Sequence, residues 1–247
     1  VLGRRYDAAV VVVRVLAGLA MASAAACRID FDARRDAAAP VHDAAADAAM
    51  ICPAGALVCD DFEGGDLAKW TGTQMIDGPV TIATEPVHGG THALSAIVNP
   101  VGGSGSEAYV YVTLGAQPFI AARAWIYLPD ALQDSEGVIY FVHAATEDRY
   151  LEVLTDSTWQ VTKYDGTLAS SSTAAVPVQA RWTCLELDWD RTAGIATLIV
   201  DGTAMTATAY SDPTIDRVGI GATRANAGGL RVFADDAIVA TAPIGCD

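Results

Sequence analysis

"WTCLELDWDRTAGIATLIVDG", residues 182–202, is the stretch whose reading decides the fold. In an extended strand successive side chains point to opposite faces. Leu185, Leu187 and Trp189 therefore share one face, and Cys184, Glu186, Asp188 and Asp190 share the other. The apolar set is what a core requires; the acidic set is expected on a solvated face. "DRTAG" then supplies a turn, because aspartate accepts local backbone hydrogen bonds and glycine takes a positive φ, and "VDGTA" repeats the signal. The stretch reads as consecutive antiparallel strands of a sheet with one face buried.

The same texture extends in both directions. From Ile51 onward, short runs with period-two alternation are separated by Gly, Asp, Asn and Pro. Twelve candidate strands follow: "ALVCDDFE", "VTIAT", "HALSAIV", "EAYVYVTL", "IAARAWIYL", "GVIYFVHA", "RYLEVLT", "TWQVTKY", "TCLELDWD", "IATLIVDG", "RVGIGAT" and "LRVFADDAIVA". No long helix is indicated. "SSSTAA" and "GGSGS" read as loops, and "DPT" at 212–214 as a turn. Residues 51–247 are expected to form one all-β antiparallel domain, a two-sheet sandwich or a barrel.

The beginning of the chain differs. Arg4 and Arg5 precede an apolar run that ends in "LAGLAMASAAAC", the pattern of an export signal over residues 1–27. The run is too short and too rich in alanine for a transmembrane helix. Around Cys27 it resembles the lipobox of bacterial lipoproteins, although Ala24 stands where that pattern usually has leucine. The resemblance implies lipidation at Cys27 and a chain that is anchored in a bacterial envelope, or else cleaved and secreted. Residues 28–50, "RIDFDARRDAAAPVHDAAADAAM", have no apolar stripe to bury and are expected to act as an Ala/Asp-rich tether.

Net charge is −15; residues 1–26 hold three Arg and one Asp, so without them 12 basic face 29 acidic residues, or −17. Such a surface repels phosphate backbones and argues against nucleic acid as a partner. Cys52, Cys59, Cys184 and Cys246 are an even set for an oxidising compartment, allowing two disulfides in three connectivities. None has the spacing of a zinc site.

Five segments in order resemble the landmarks of concanavalin A-like jelly rolls, the superfamily of laminin-G-like modules, lectins, glucanases and several polysaccharide lyases. They are "CDDFEGGDLAKW" (59–70), "HGGTHALSA" (88–96), "ARAWIYLPD" (122–130), the opening stretch (182–202) and "VFADDAIV" (232–239). The resemblance implies an all-β, two-sheet jelly-roll sandwich whose closing strand pairs with its first. It also implies a structural calcium ion on an acidic residue near the first strand, the Gly-rich turn and an aspartate of the last strand, here Glu63, Gly90 and Asp236. Cys52 and Cys59 bracket a short loop, which would leave Cys184 with Cys246. Cys52 with Cys246 is the alternative if the terminal strands are neighbours.

Glycoside hydrolases of this superfamily carry a Glu-x-Asp-x-Glu strand, which Glu186, Asp188 and Asp190 resemble with a shorter last member. Glu186 and Asp190 lie about 13 Å apart along a strand. A retaining pair needs carboxyl groups about 5 Å apart, and Asp190 also has a turn to open. Lyases need a Tyr or His base and a group that neutralises a uronate. Tyr140, His143, Arg123 and Tyr127 offer little of this, and the motifs of the alginate-lyase relatives are absent. Arg123, Trp125 and Tyr127 share a strand face, as do Glu186 and Asp188. Together they make a candidate ligand surface, since aromatic rings stack on sugars while charged groups bind hydroxyls. The alternative packs Trp125 in the core and turns Ala124, Ile126 and Leu128 outward. The expectation is a non-catalytic, lectin-like domain for a polysaccharide or cell-surface glycan. A polysaccharide-degrading enzyme is the first alternative, and a structural envelope protein the second.

Overall fold

A computed structural model describes residues 50–99, 106–130, 136–143, 145, 150–172, 174–223 and 229–246. The expectations for the export segment, Cys27 and residues 28–49 of the tether lie outside these residues. The chain divides into two units, Val1–Asp43 and Ala44–Asp247, and all described residues belong to the second.

Among the described residues every regular element is a strand. They are β1 (Ala56–Asp60), β2 (Gly72–Ile76), β3 (Val80–Ala83), β4 (Ala93–Val98), β5 (Glu107–Thr113), β6 (Phe119–Tyr127), β7 (Glu136–Val142), β8 (Tyr150–Asp156), β9 (Thr158–Tyr164), β10 (Leu168–Ser172), β11 (Trp182–Asp190), β12 (Ile195–Val200), β13 (Thr203–Ala209), β14 (Arg217–Thr223) and β15 (Leu230–Ala240). One sheet runs β13-β12-β11-β6-β15-β4-β3, with β1 also on β15; the other runs β10-β9-β8-β7-β14-β5-β2. All pairs are antiparallel, which makes an eight-stranded and a seven-stranded sheet.

The opening stretch folds as its alternation predicts. Leu185, Leu187 and Trp189 are fully buried between the sheets. On the neighbouring strand Ile120, Ala122, Ala124, Ile126 and Leu128 face the same core, so Arg123, Trp125 and Tyr127 face away from it. Asp190 Oδ1 accepts the Ala193 N–H at 2.8 Å, and Gly194 has φ +66°, which forms the first turn. Asp201 and Gly202 both take positive φ, the two-residue hairpin joining β12 to β13.

β15 closes the sandwich. It has β6 along one edge, and β4 followed by β1 along the other. Its pairing with β6 slips between Asp235 and Ile238, a bulge at which Asp236 takes φ +48°. The bulge restores the alternation: Val232 and Ala234 face the core before it, Ala237 and Val239 after it. It also turns Asp236 out of register, which matters for the site below.

β2, β10 and β13 have no counterpart among the twelve candidate strands. Each is the outermost strand of its sheet. An edge strand pairs on one side only and need not alternate cleanly, so "GTQMI", "LASSS" and "TAMTATA" carry a weak period-two signal.

Candidate functional site

The face of the eight-stranded sheet turned away from the core carries the residues that sequence reasoning chose. Arg123 lies opposite Glu186, and Trp125 opposite Cys184, across β6 and β11. The solvated face expected for Cys184 and Glu186 is not found: they are 0% and 1% exposed. The chain after β15 folds back over them. Glu186 accepts the N–H of Ile244 through Oε1 and of Gly245 through Oε2, both at 2.7 Å. Arg123 donates to Gly245 O and Asp236 O, both at 3.1 Å. The Cys184–Cys246 disulfide fastens the end of this segment, and Cys52–Cys59 closes the loop before β1. Arg123 and Glu186 are spent on the tail and cannot meet a ligand. Asp188 is forced toward its neutral form by burial and then by the charge and hydrogen bond of Glu186. Asp190 caps its turn. The three carboxylates of β11 thus serve as clamp, half-buried acid and turn.

Trp125 and Tyr127 remain half-exposed beside the tail. The His88 ring stacks on Trp125 with centroids 4.0 Å apart, and Trp182 packs on both His88 and Tyr127. His88 Nδ1 meets Asp236 Oδ2 at 2.8 Å, while its backbone N–H donates to Asp235. Burial raises Asp235 to about 7, and the Asp236 charge beside it acts in the same direction.

The three positions expected for calcium meet at the 88–92 turn. A side chain on Gly90 would strike the Glu63 carboxylate, 2.3 Å from Oε1. Asp236 reaches the turn through His88. Glu63 already accepts the Thr91 N–H, the Thr91 hydroxyl and the His92 N–H. Among the described residues no three His, Cys, Asp or Glu groups converge as a metal site. Calcium takes six to eight oxygens, so an ion held by Glu63, Gly90 and Asp236 would have to compete with the Thr91 and His92 donors and draw further ligands.

A different surface emerges on the seven-stranded sheet. β5 places Ala108, Val110 and Val112 in the core and turns Glu107, Tyr109 and Tyr111 to the far face. β7 and β8 add Tyr140, Val142, Tyr150 and Glu152 to that face. Glu107, Tyr109, Tyr140, Val142, Tyr150, Glu152 and Thr223 line a shallow, open groove. The register aligns Tyr111, Gly219, Tyr140, Glu152 and Thr162 in one row across β5, β14, β7, β8 and β9.

Glycines let the tyrosines lie down. A Cβ on Gly219 would stand 2.6 Å from Tyr109 Cδ2, and one on Gly137 would stand 2.6 Å from Tyr140 Cε1. With no Cβ in the way, the Tyr109 and Tyr140 rings cover the backbone, centroids 5.3 Å apart, and form an aromatic floor. Both are almost fully buried, whereas Tyr150, stacked on Tyr164, and Tyr111, under the Arg217 guanidinium, flank the floor half-exposed. The Tyr140 hydroxyl donates to Gly137 O. Burial holds its proton well above the ordinary range, and the charges of Glu152 and Glu107 add to that. Thr223 Oγ1 is buried near that hydroxyl without completing a hydrogen bond of normal geometry.

Sequence reasoning passed over this groove, Tyr140 apart, since its members come from four strands with no fixed spacing. The available signals were "EAYVYV", with its acidic and aromatic outer face, and the paired glycines of "RVGIGAT".

No protein-family model matches the chain, and no curated protein matches its sequence. Solved structures match its fold. The cellulose-induced protein Cip1 superposes with a TM-score of 0.64 at 19% identity, over 77% of this chain and 100% of that one. An endo-β-1,4-glucuronan lyase from the fungus Trichoderma reesei gives 0.56 at 14% identity, over 72% and 93%. Domain 4 of AbnA, a GH43 extracellular arabinanase from Geobacillus stearothermophilus solved with arabinotriose, gives 0.52 at 9% identity, over 76% and 95%. The fold is the concanavalin A-like jelly roll. Identities this low establish the fold alone.

Proposed function

We propose that this is an exported, non-catalytic carbohydrate-binding domain that holds a glycan chain in the groove of the seven-stranded sheet. The observation that carries the reading is the outer face of the seven-stranded sheet, where the half-exposed rings of Tyr111 and Tyr150 and the half-exposed Glu107 flank the buried, glycine-backed Tyr109 and Tyr140. Sugar rings stack on aromatic faces, and carboxylates accept hydrogen bonds from their hydroxyls. The two disulfides support export, and anchoring through a lipid on Cys27 remains part of the proposal. Tyr140 favours binding over bond cleavage, because its hydroxyl is tied to its own strand and its proton is held too tightly for a general base.

Affinity electrophoresis against soluble neutral β-glucan, arabinan and xylan tests the reading, with reducing-end and unsaturated-product assays run on the same mixtures. Retardation by at least one polymer, weakened in Tyr150→Ala and without product formation, is expected. Product formation would make the protein an enzyme. No retardation by any polymer would leave a structural envelope role.

A further inference from the structure

We infer that the glycan site continues past the groove, across the strands to the β10 edge, through Tyr164 and Leu168. Its ligand is therefore an extended oligosaccharide laid across the sheet, not a single sugar or a disaccharide. This rests on the glycan-groove reading and adds the ligand's direction and length to it. Arg217 pairs with Val142, Val142 with Tyr150, Tyr150 with Tyr164 and Tyr164 with Leu168, on β14, β7, β8, β9 and β10 in turn. These five form one row. It lies beside the row of Gly219, Tyr140, Glu152 and Thr162 and on the same face, because residues two apart along a strand share a face. On that face the Thr162 and Ser170 hydroxyls meet at 2.7 Å, which joins β9 to β10. Val142 and Tyr150 line the groove, and Tyr164 and Leu168 prolong it by two strands.

The prolongation is open to solvent and held in shape. Tyr150 and Tyr164 are half-exposed and stacked, with centroids 5.7 Å apart. Leu168 is 66% exposed, so it adds apolar surface beside the rings while contributing little to the core. The turn between Tyr164 and Leu168 is tied by Asp165, which accepts the Thr167 N–H, the Thr167 hydroxyl and the Lys163 ammonium. Surface that is ordered before the ligand arrives lowers the cost of binding. At about 4.8 Å between neighbouring strands, the row from Arg217 to Leu168 covers about 19 Å, roughly the length of four sugar residues in an extended chain. A disaccharide meets one part of that row. A longer chain stacks on the tyrosines and lays the apolar face of a further ring on Leu168.

The test is calorimetric titration with the disaccharide and the hexasaccharide of β-glucan, arabinan and xylan, into the unaltered protein, Tyr150→Ala, Tyr164→Ala and Leu168→Ser. For at least one of the three sugars the hexasaccharide is expected to bind about tenfold or more tighter than the disaccharide. Tyr164→Ala is expected to weaken the hexasaccharide about fivefold and Leu168→Ser about twofold, with the disaccharide unchanged or too weak to detect throughout. Leu168 is exposed, so Leu168→Ser reads the ligand contact without disturbing the fold. Equal affinity for the two lengths overturns the inference, as does a hexasaccharide affinity that ignores both Tyr164→Ala and Leu168→Ser. So does a loss in Tyr164→Ala of the same size for both lengths, with none in Leu168→Ser, since Tyr164 would then only steady Tyr150. Those results leave the groove reading intact provided Tyr150→Ala still weakens binding. Binding that ignores Tyr150→Ala removes the groove reading and the inference together.

Discussion

Glu186 lies directly beneath Gly245, its Oε2 accepting that residue's N–H at 2.7 Å, while Oε1 takes the N–H of Ile244. A carboxylate that a strand pattern assigns to water is instead the anchor of the C-terminal segment, with Arg123 on the neighbouring strand donating to Gly245 O. Removing it strands two backbone donors and a buried guanidinium. Glu186→Ala is expected to destabilise the domain by about 3 to 5 kcal/mol, the cost of breaking a buried charged network from one side. Glu186→Gln, which keeps one acceptor, should cost about half of that. Urea unfolding midpoints measure both.

Asp188 gives stability a pH dependence of unusual sign. Its pKa is raised to about 8, by burial first and Glu186 second, so the folded chain holds a proton that the unfolded chain releases near pH 4. The Asp188 contribution is full below about pH 4 and is lost as pH rises to about 8. Asp188→Asn keeps the shape and cannot ionise. Its stability relative to the unaltered protein should therefore improve between pH 5 and pH 8.5, read as a difference in urea midpoints at the two values.

Gly219 tests how the floor of the groove is built. A methyl group there would stand 2.6 Å from the Tyr109 ring and 3.1 Å from Val110 O. Gly219→Ala is expected to lift Tyr109 off the sheet, cost about 1 to 3 kcal/mol in stability and weaken glycan binding. The same substitution at the exposed Gly166 is not informative, because its positive φ strains any side chain.

Calcium at Glu63, Gly90 and Asp236 is a proposal that a chelator decides. Glu63 already accepts three protein donors, so EDTA is expected to move the melting temperature by less than about a degree. A fall of several degrees, about 1 kcal/mol or more in a domain of this size, would place a metal at the turn.

The fold was legible where both neighbours of a strand impose alternation. β6 and β11 lie inside a sheet, and Ala122, Ala124, Leu185 and Leu187 point as the period-two pattern requires. β2, β10 and β13 all lie at edges, where that constraint is halved, and "SSSTAA", expected as a loop, begins inside β10. The face of Glu186 was legible, but its surroundings were not. Nothing in β11 encodes a segment beginning some 55 residues later, although Cys184 and Cys246 hinted that one end of the face was occupied. The groove was least legible, because Tyr109, Tyr140 and Glu152 become neighbours only through pairing across β5, β14, β7 and β8.

The proposed glycan site lies on the seven-stranded sheet, and one titration tests that placement. A neutral hexasaccharide of the polymer that retards the protein is titrated calorimetrically into the unaltered domain, Tyr150→Ala and Trp125→Ala. Expected is an affinity about fivefold or more weaker for Tyr150→Ala, the loss of one stacked ring at about 1 kcal/mol, with Trp125→Ala within about twofold of the unaltered protein. Loss of binding in Trp125→Ala with full retention in Tyr150→Ala would move the site to the eight-stranded sheet and contradict the groove.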